Sequence, residues 1–327
     1  MEYRPRKRTR RRGVIIGELR RFRFHPWHLA TALVLACVAA LGVAYWLRFN
    51  SGETAAQLVR FLPRDNATIL YMDIAALRRG GFLDLFSGSP AAQDPDYRAF
   101  VARTQFDYST DLDAVAASFR GKERFLVLRG RFNWSALIGY VNRQGGSCGK
   151  SFCQLDGSQP DRRISFFPLR RDLMALAVSP DPLAAHQIRK GVLEKEAAFP
   201  KDPSWLMIPA AALQSSSLVP DRARPFVSTL RGARQILFTV DAAGKNLKLS
   251  AYVRCDDSSA ASELGMGLVS AQASLRDLLQ RQHVQPGRAD VAGILLAGTI
   301  RQEENRVVGQ WPVPQEFLTA VVSGNPQ

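Results

Sequence analysis

Gly145-Gly146-Ser147-Cys148-Gly149-Lys150-Ser151 is the segment with the most chemistry in it. A phosphate-binding loop needs Gly, four residues, then Gly-Lys-Ser/Thr, so that backbone N–H groups cradle phosphates and the Lys reaches them. Gln144 stands where the first Gly belongs, and no buried strand leads into the segment. Nucleotide binding is therefore set aside, and no cofactor is expected. Cys148 and Cys153 are separated by four residues in this Gly-rich stretch, which suits a disulfide in an oxidising compartment. The spacing is too long for a two-residue redox motif, and the cysteines have no companions for a four-ligand zinc site, so no metal is expected. Cys255 falls on the apolar face of an alternating segment and reads as a buried thiol.

His186 and His283 are the two histidines beyond the N-terminal region. Either could act as the base of a hydrolase whose nucleophile is brought in by folding, but no Gly-x-Ser-x-Gly elbow accompanies them. Paired carboxylates at Asp94/Asp96, Asp111/Asp113 and Asp256/Asp257 could bind a cation or move protons. All three pairs fall at turns or helix starts, where Asp caps backbone N–H groups, and the capping role is preferred. No catalytic motif emerges, and the leading reading is non-enzymatic.

The elements that would position these residues begin with an anchor. Trp27 to Leu47 contains no Asp, Glu, Lys or Arg over 21 residues. As a helix it would span about 31 Å at ~1.5 Å per residue, the thickness of a bilayer's hydrocarbon core. Trp27 at one end and Tyr45-Trp46 at the other are suited to the two interfaces. Residues 1–26 carry ten Lys/Arg against Glu2 and Glu18, more than half of the formal net charge of +15. That block orients the segment with the N-terminus in the cytoplasm. It also leaves the body only mildly basic, so nucleic acid is not an expected partner, whereas anionic lipid is.

Three alternatives compete for the same segment. Gly42-Val43-Ala44 offers small residues at a signal-peptide cleavage spacing. Val34-Leu35-Ala36-Cys37 is similar to a lipobox, with Cys37 the lipidated residue. Arg11-Arg12-Gly13-Val14-Ile15 faintly resembles a twin-arginine signal. The apolar run continues ten residues past Cys37, which favours the uncleaved anchor. Ala32, Ala36, Ala40 and Ala44 recur every fourth residue and would form a small-residue stripe for helix–helix association, including self-association.

After a polar joint at 48–56, the body reads as α+β, an antiparallel sheet with helices packed on it. Strands are expected at Asn66–Ile74, Arg124–Gly130, Arg163–Leu169, Leu173–Val178, Gln235–Val240 and Leu247–Cys255, the last alternating strictly over nine residues. A closing hairpin is expected from Val291–Ile300 to Arg306–Val313. Helices are expected at Tyr97–Thr104, Asp111–Phe119, after Asn133, at Asp181–Leu193 and after Asp257. In that last helix Leu264, Leu268, Ala271, Leu275 and Leu278 share one face.

Arg64–Leu77 echoes Lys201–Leu213 at an offset of about 137 residues, each a charged turn, a strand and Ala-Ala-Leu. Arg120–Leu128 echoes Arg231–Thr239. The echoes divide the body into halves at 57–200 and 201–327 and suggest a duplicated unit.

A single N-terminal span, a charged turn and strand opening the body, and a closing hairpin–helix–hairpin unit are together similar to uncharacterised bacterial single-pass membrane proteins. The likeness implies a cell-membrane location with the body outside the cytoplasm. It also implies a binding or envelope-assembly role with a protein or envelope partner. It assigns no site residue.

Overall fold

In the computed structural model the described residues are 55–83, 94–157, 159, 161–189, 199–214, 232–243 and 246–322. The expected membrane segment 27–47, the basic tail and the Ala32/Ala36/Ala40/Ala44 stripe lie outside them. Among the described residues no helix is long and apolar enough to cross a membrane. Glu53–Gln327 forms one compact unit.

The strands are β1 (Thr68–Met72), β2 (Leu112–Arg120), β3 (Glu123–Gly130), β4 (Ser147–Gly149), β5 (Phe152–Asp156), β6 (Arg163–Arg170), β7 (Leu173–Ser179), β8 (Ser204–Pro209), β9 (Ala233–Ala243), β10 (Asn246–Cys255), β11 (Thr299–Glu303) and β12 (Arg306–Val313). They form one antiparallel sheet ordered β11-β12-β10-β9-β8-β1-β2-β3-β7-β6-β5-β4. The body is therefore α+β, with a large antiparallel sheet and helices on it.

A single cross-strand row runs through all twelve strands: Ile300, Gly309, Ala251, Phe238, Leu206, Leu70, Ala117, Leu126, Leu176, Phe166, Cys153, Cys148. Every member is apolar, glycine or half-cystine. A slip of one residue in any strand would turn its side chains to the wrong face, so this row fixes register across the sheet.

The strand order divides at the β1–β8 pair. On one side it reads β1-β2-β3-β7-β6 and on the other β8-β9-β10-β12-β11, the same connectivity, with β4 and β5 added at one edge. Leu70 faces Leu206 at the junction. Counting back from the two Ala-Ala-Leu segments, these are the same position in each.

Helices cover both faces. Leu58 and Val59 of α1 (Ala55–Val59) pack on Ile69, Tyr71, Ala116, Val127 and Trp205. On the opposite face Leu137 and Val141 of α5 (Trp134–Arg143) meet Cys153, Phe166 and Met174. On that same face Ala261 and Leu264 of α7 (Ser258–Arg281) meet Ile236, Val253 and Val307. The shorter helices are α2 (Ile74–Arg79), α3 (Pro95–Thr104), α4 (Tyr108–Asp111), α6 (Ala210–Gln214), α8 (Val291–Ala297) and α9 (Gln315–Val322).

Three expected elements differ. Of the helix expected at Asp111–Phe119, Asp111 ends α4 and Leu112–Phe119 is part of strand β2. Its alanines are good helix formers, but Ala114 and Ala116 are fully buried between β1 and β3, where only small side chains fit, and tertiary packing overrides propensity. The helix expected from Asp181 is a short 3-10 turn, Ala184–Gln187, within the described residues. Val291–Ile300 is helix α8 followed by β11, since a short apolar run does not distinguish the two. The Gln272 amide donates to the carbonyls of Leu295 and Gly298 and so satisfies acceptors at the end of α8.

Candidate functional site: a disulfide-closed edge hairpin

The Gly-rich segment, Cys148, Cys153 and His186 come together at the β4 edge of the sheet. α5 ends there in a Schellman motif. Gly145 has φ +79° and its N–H meets the Asn142 carbonyl, while the Gly146 N–H meets the Val141 carbonyl at 3.0 Å. Gly146 then passes so close to β5 that a Cβ would lie 2.4 Å from the Gln154 carbonyl oxygen and 2.6 Å from Val141 Cγ1. The order is thus helix, loop, strand. A phosphate loop requires strand, loop, helix, which removes that reading on structural grounds as well.

β4 and β5 form a hairpin whose two turn residues, Lys150 and Ser151, have φ of +47° and +71°. Two consecutive left-handed residues match the type I′ turn, which suits the twist of a hairpin but normally takes Asn-Gly. Cys148 faces Cys153 directly, with the sulfurs bonded at 2.04 Å. Cys153 is fully buried against Leu137, Val141 and Phe166, so the disulfide ties the hairpin to the α5 side of the sheet.

The other face of the hairpin points away from α5. Ser147, Gly149, Phe152, Gln154 and Asp156 alternate onto it. The turn Asp181–Gln187 stands over this face on neighbouring β6 and β7. Ser165 Oγ accepts the Ala185 N–H at 3.2 Å, and Ser179 Oγ accepts the Asp181 N–H at 3.1 Å. The Asp181 carboxylate accepts the Leu183 N–H at 2.9 Å, and the Arg120 guanidinium donates to Gln187 at 2.9 Å and Glu123 at 2.8 Å. These bonds hold the backbone in a tight turn, which is why no α-helix starts at Asp181.

That turn lays the His186 ring on Phe152, with centroids 4.1 Å apart and planes 9° from parallel. Phe167 lies 5.8 Å from the same ring. His186 is nonetheless exposed. Further along β5 is a hollow lined by Gly145, Gly146, Ser147, Gln154, Leu155, Asp156, Arg163 and Pro182. Asp156 and Arg163 form a loose exposed pair at 3.8 Å, an arrangement that contributes little to stability. The site therefore has an aromatic plate and, along the same strand face, several hydrogen-bonding groups.

Among the described residues the His186 and His283 imidazoles make no hydrogen bond to a Ser, Cys or acid. His283 follows α7 with φ +55°. Five of the six paired carboxylates have structural partners. Asp94 caps α3 and Asp257 caps α7. Asp111 binds Arg131, Asp113 binds Arg78 and Asp256 binds Arg234. Burial tends to raise the Asp111 carboxyl, but the Asp107 N–H and Arg131 outweigh it and hold it below its ordinary value. Among the described residues no three His, Cys, Asp or Glu side chains are grouped as a metal ion requires. Cys255 is a free buried thiol, pushed up by burial and then by Asp256 and Asp257.

A second hollow lies between Tyr97 and Tyr108, with Arg98, Val101 and Asp107 on its rim. Burial, reinforced by Asp107, pushes the Tyr97 phenol up to about 12. Its hydroxyl donates to Asp107 at 3.2 Å and accepts the Tyr108 N–H at 3.3 Å, so it serves to join α3 to α4.

Comparison with protein-family models and with curated proteins finds no match. Among solved structures the chain is similar to TP0453 in crystal form III, with a TM-score of 0.45 and 11% identity over 82% of this chain and 98% of that one. Crystal forms IV and I of TP0453 each give a TM-score of 0.44, at 11% and 10% identity, over 81% of this chain and 96% of theirs.

Proposed function

We propose that this chain is a single-pass membrane protein whose N-terminal tail is cytoplasmic and whose α+β body lies outside the cytoplasm. In this reading the body is a non-enzymatic binding or envelope-assembly module. The carrying observation is the uncharged stretch Trp27–Leu47 next to a tail with ten Lys/Arg. A bonded Cys148–Cys153 pair supports an oxidising compartment, and the aromatic plate with hydrogen-bonding groups along the same strand face supports a partner-binding role. The partners are membrane lipid for the tail and span, and a protein or envelope component for the body.

The same reading includes a duplicated unit. Identical strand connectivity on the two sides of the β1–β8 pair, and the meeting of Leu70 with Leu206, support it. It also includes association through Ala32, Ala36, Ala40 and Ala44. Replacing Ala36 and Ala40 with Leu should reduce self-association in membranes, and unchanged association would remove that part.

Orientation is tested with reporters fused after Gln327. Alkaline phosphatase, which folds only after export, should be active there, and a fluorescent protein that matures only in the cytoplasm should stay dark. The opposite pattern would overturn the proposal.

A further inference from the structure

We infer that the groove between the β4–β5 hairpin and the turn Asp181–Gln187 binds a neutral glycan chain. This names a ligand class for the binding module proposed above and rests on that reading for its setting, but the groove's chemistry argues for it separately.

The first observation is the plate. An exposed ring held within 9° of parallel to Phe152 offers a flat, rigid surface. The C–H face of a pyranose is flat and weakly apolar and stacks on such a ring, much as other apolar groups seek aromatic faces. The turn that carries His186 is fixed by the Ser165, Ser179 and Arg120 bonds, so little ordering is required on binding.

The second is the polar row. Gln154 stands two residues along β5 from Phe152 on the same face, roughly 7 Å away at the rise of a strand. Among the described residues the Gln154 amide and Ser147 hydroxyl make no side-chain hydrogen bond, and Asp156 and Arg163 hold each other only loosely. Amide, carboxylate and guanidinium groups are planar and can each engage two adjacent hydroxyls.

The third is charge and shape. Asp156 and Arg163 cancel, so the groove itself favours neither a phosphate nor a cation. At about 170 Å³ the hollow is smaller than a site that encloses a small molecule, which suits a polymer lying across it.

Two left-handed non-glycine residues, Lys150 and Ser151, sit at the hairpin tip. Backbone conformations of this kind persist where surrounding structure imposes them, and they concentrate at binding sites. An extended peptide adding to the free edge of β4 is the competing occupant. β4 is only three residues long and offers few backbone bonds to such a strand.

The test uses the full chain in detergent micelles and saturation-transfer NMR. The probes are the β-1,4-linked hexamer of N-acetylglucosamine, the β-1,4-linked hexamer of glucose, and an eight-residue Thr/Val peptide. At least one sugar should bind, with Kd on the order of 0.1–1 mM, as expected for a few contacts in an open groove. His186→Ala and Gln154→Ala should each weaken it about fivefold or more, and His186→Trp should restore it. The Gln154 side chain makes no hydrogen bond among the described residues, so Gln154→Ala remains informative if His186→Ala unfolds the turn. The inference is overturned if neither sugar binds at about 10 mM, if both alanine variants bind as the parent does, or if only the peptide binds. Sugar binding by a chain found outside membranes would uphold the groove and refute the anchor. An anchored chain that binds no sugar would do the reverse.

Discussion

Replacing Lys150 with Asn and Ser151 with Gly should make the body more stable. Both residues lie in the left-handed region, at φ +47° and +71°. For a residue with a Cβ that conformation costs about 1–2 kcal/mol. Asn tolerates it better, and Gly adopts it freely, but Gly gives back about 0.5–1 kcal/mol through the greater freedom of its unfolded chain. The pair should therefore gain about 1–2 kcal/mol. The strands cannot separate to relax the turn, because Cys148–Cys153 closes the hairpin. For a body of this size a gain of that order raises the unfolding midpoint by about 2–4 °C. Thermal unfolding followed by circular dichroism on the full chain in micelles measures it. Lys150→Val, which puts a β-branched residue at a left-handed position, should lower the midpoint. An unchanged or lowered midpoint in the Asn-Gly variant would refute the reasoning that the turn is strained.

Four further outcomes are expected. Replacing Cys148 and Cys153 with Ser should cost about 2 kcal/mol, the loop-closure value for a six-residue ring, measured by urea unfolding. Arg78→Ala should cost about 2–3 kcal/mol, because Arg78 donates to the carbonyls of Ser109 and Leu112 and pairs with Asp113, which joins α2 to the start of β2. In an alkaline titration followed near 295 nm, one tyrosine absent from Tyr97→Phe should ionise near pH 12. Since the folded-state value is raised above the ordinary 10, Tyr97's contribution is intact below about pH 10 and is lost as pH rises towards 12. Gly309→Ala should destabilise by about 1–3 kcal/mol, because the new methyl would meet the Trp311 ring at 2.2 Å.

Much of the sheet was legible because its strands alternate or carry long apolar runs. β10, with Leu247, Leu249, Ala251, Val253 and Cys255 on one face, is the clearest case, and its pairing with β9 and β12 follows. The misread elements share a cause. The Ala-rich β2, the apolar α8 and the turn at Asp181 lack a decisive period, so partners distant in sequence decide them. For β2 these are the flanking strands β1 and β3; for α8, Gln272; for the turn, Ser165. The candidate site was half visible. Cys148, Cys153 and His186 stood out by residue type, whereas Phe152 and Gln154 did not. Phe152, Gln154 and Asp156 do alternate with Cys153 and Leu155, a period of two that marks β5. Lys-Ser at the hairpin tip hid it, because that dipeptide is not a usual type I′ turn. That His186 would lie on Phe152 depends on a turn 34 residues away in sequence and carries no local signal.

The anchor carries the account, and fractionation tests it most directly. Cells producing the intact chain are lysed without detergent, centrifuged at high speed, and the pellet is washed with alkaline carbonate. The chain should stay in the washed pellet and be released only by detergent. Recovery of the intact chain in the first supernatant would contradict the placement of Trp27–Leu47 in lipid.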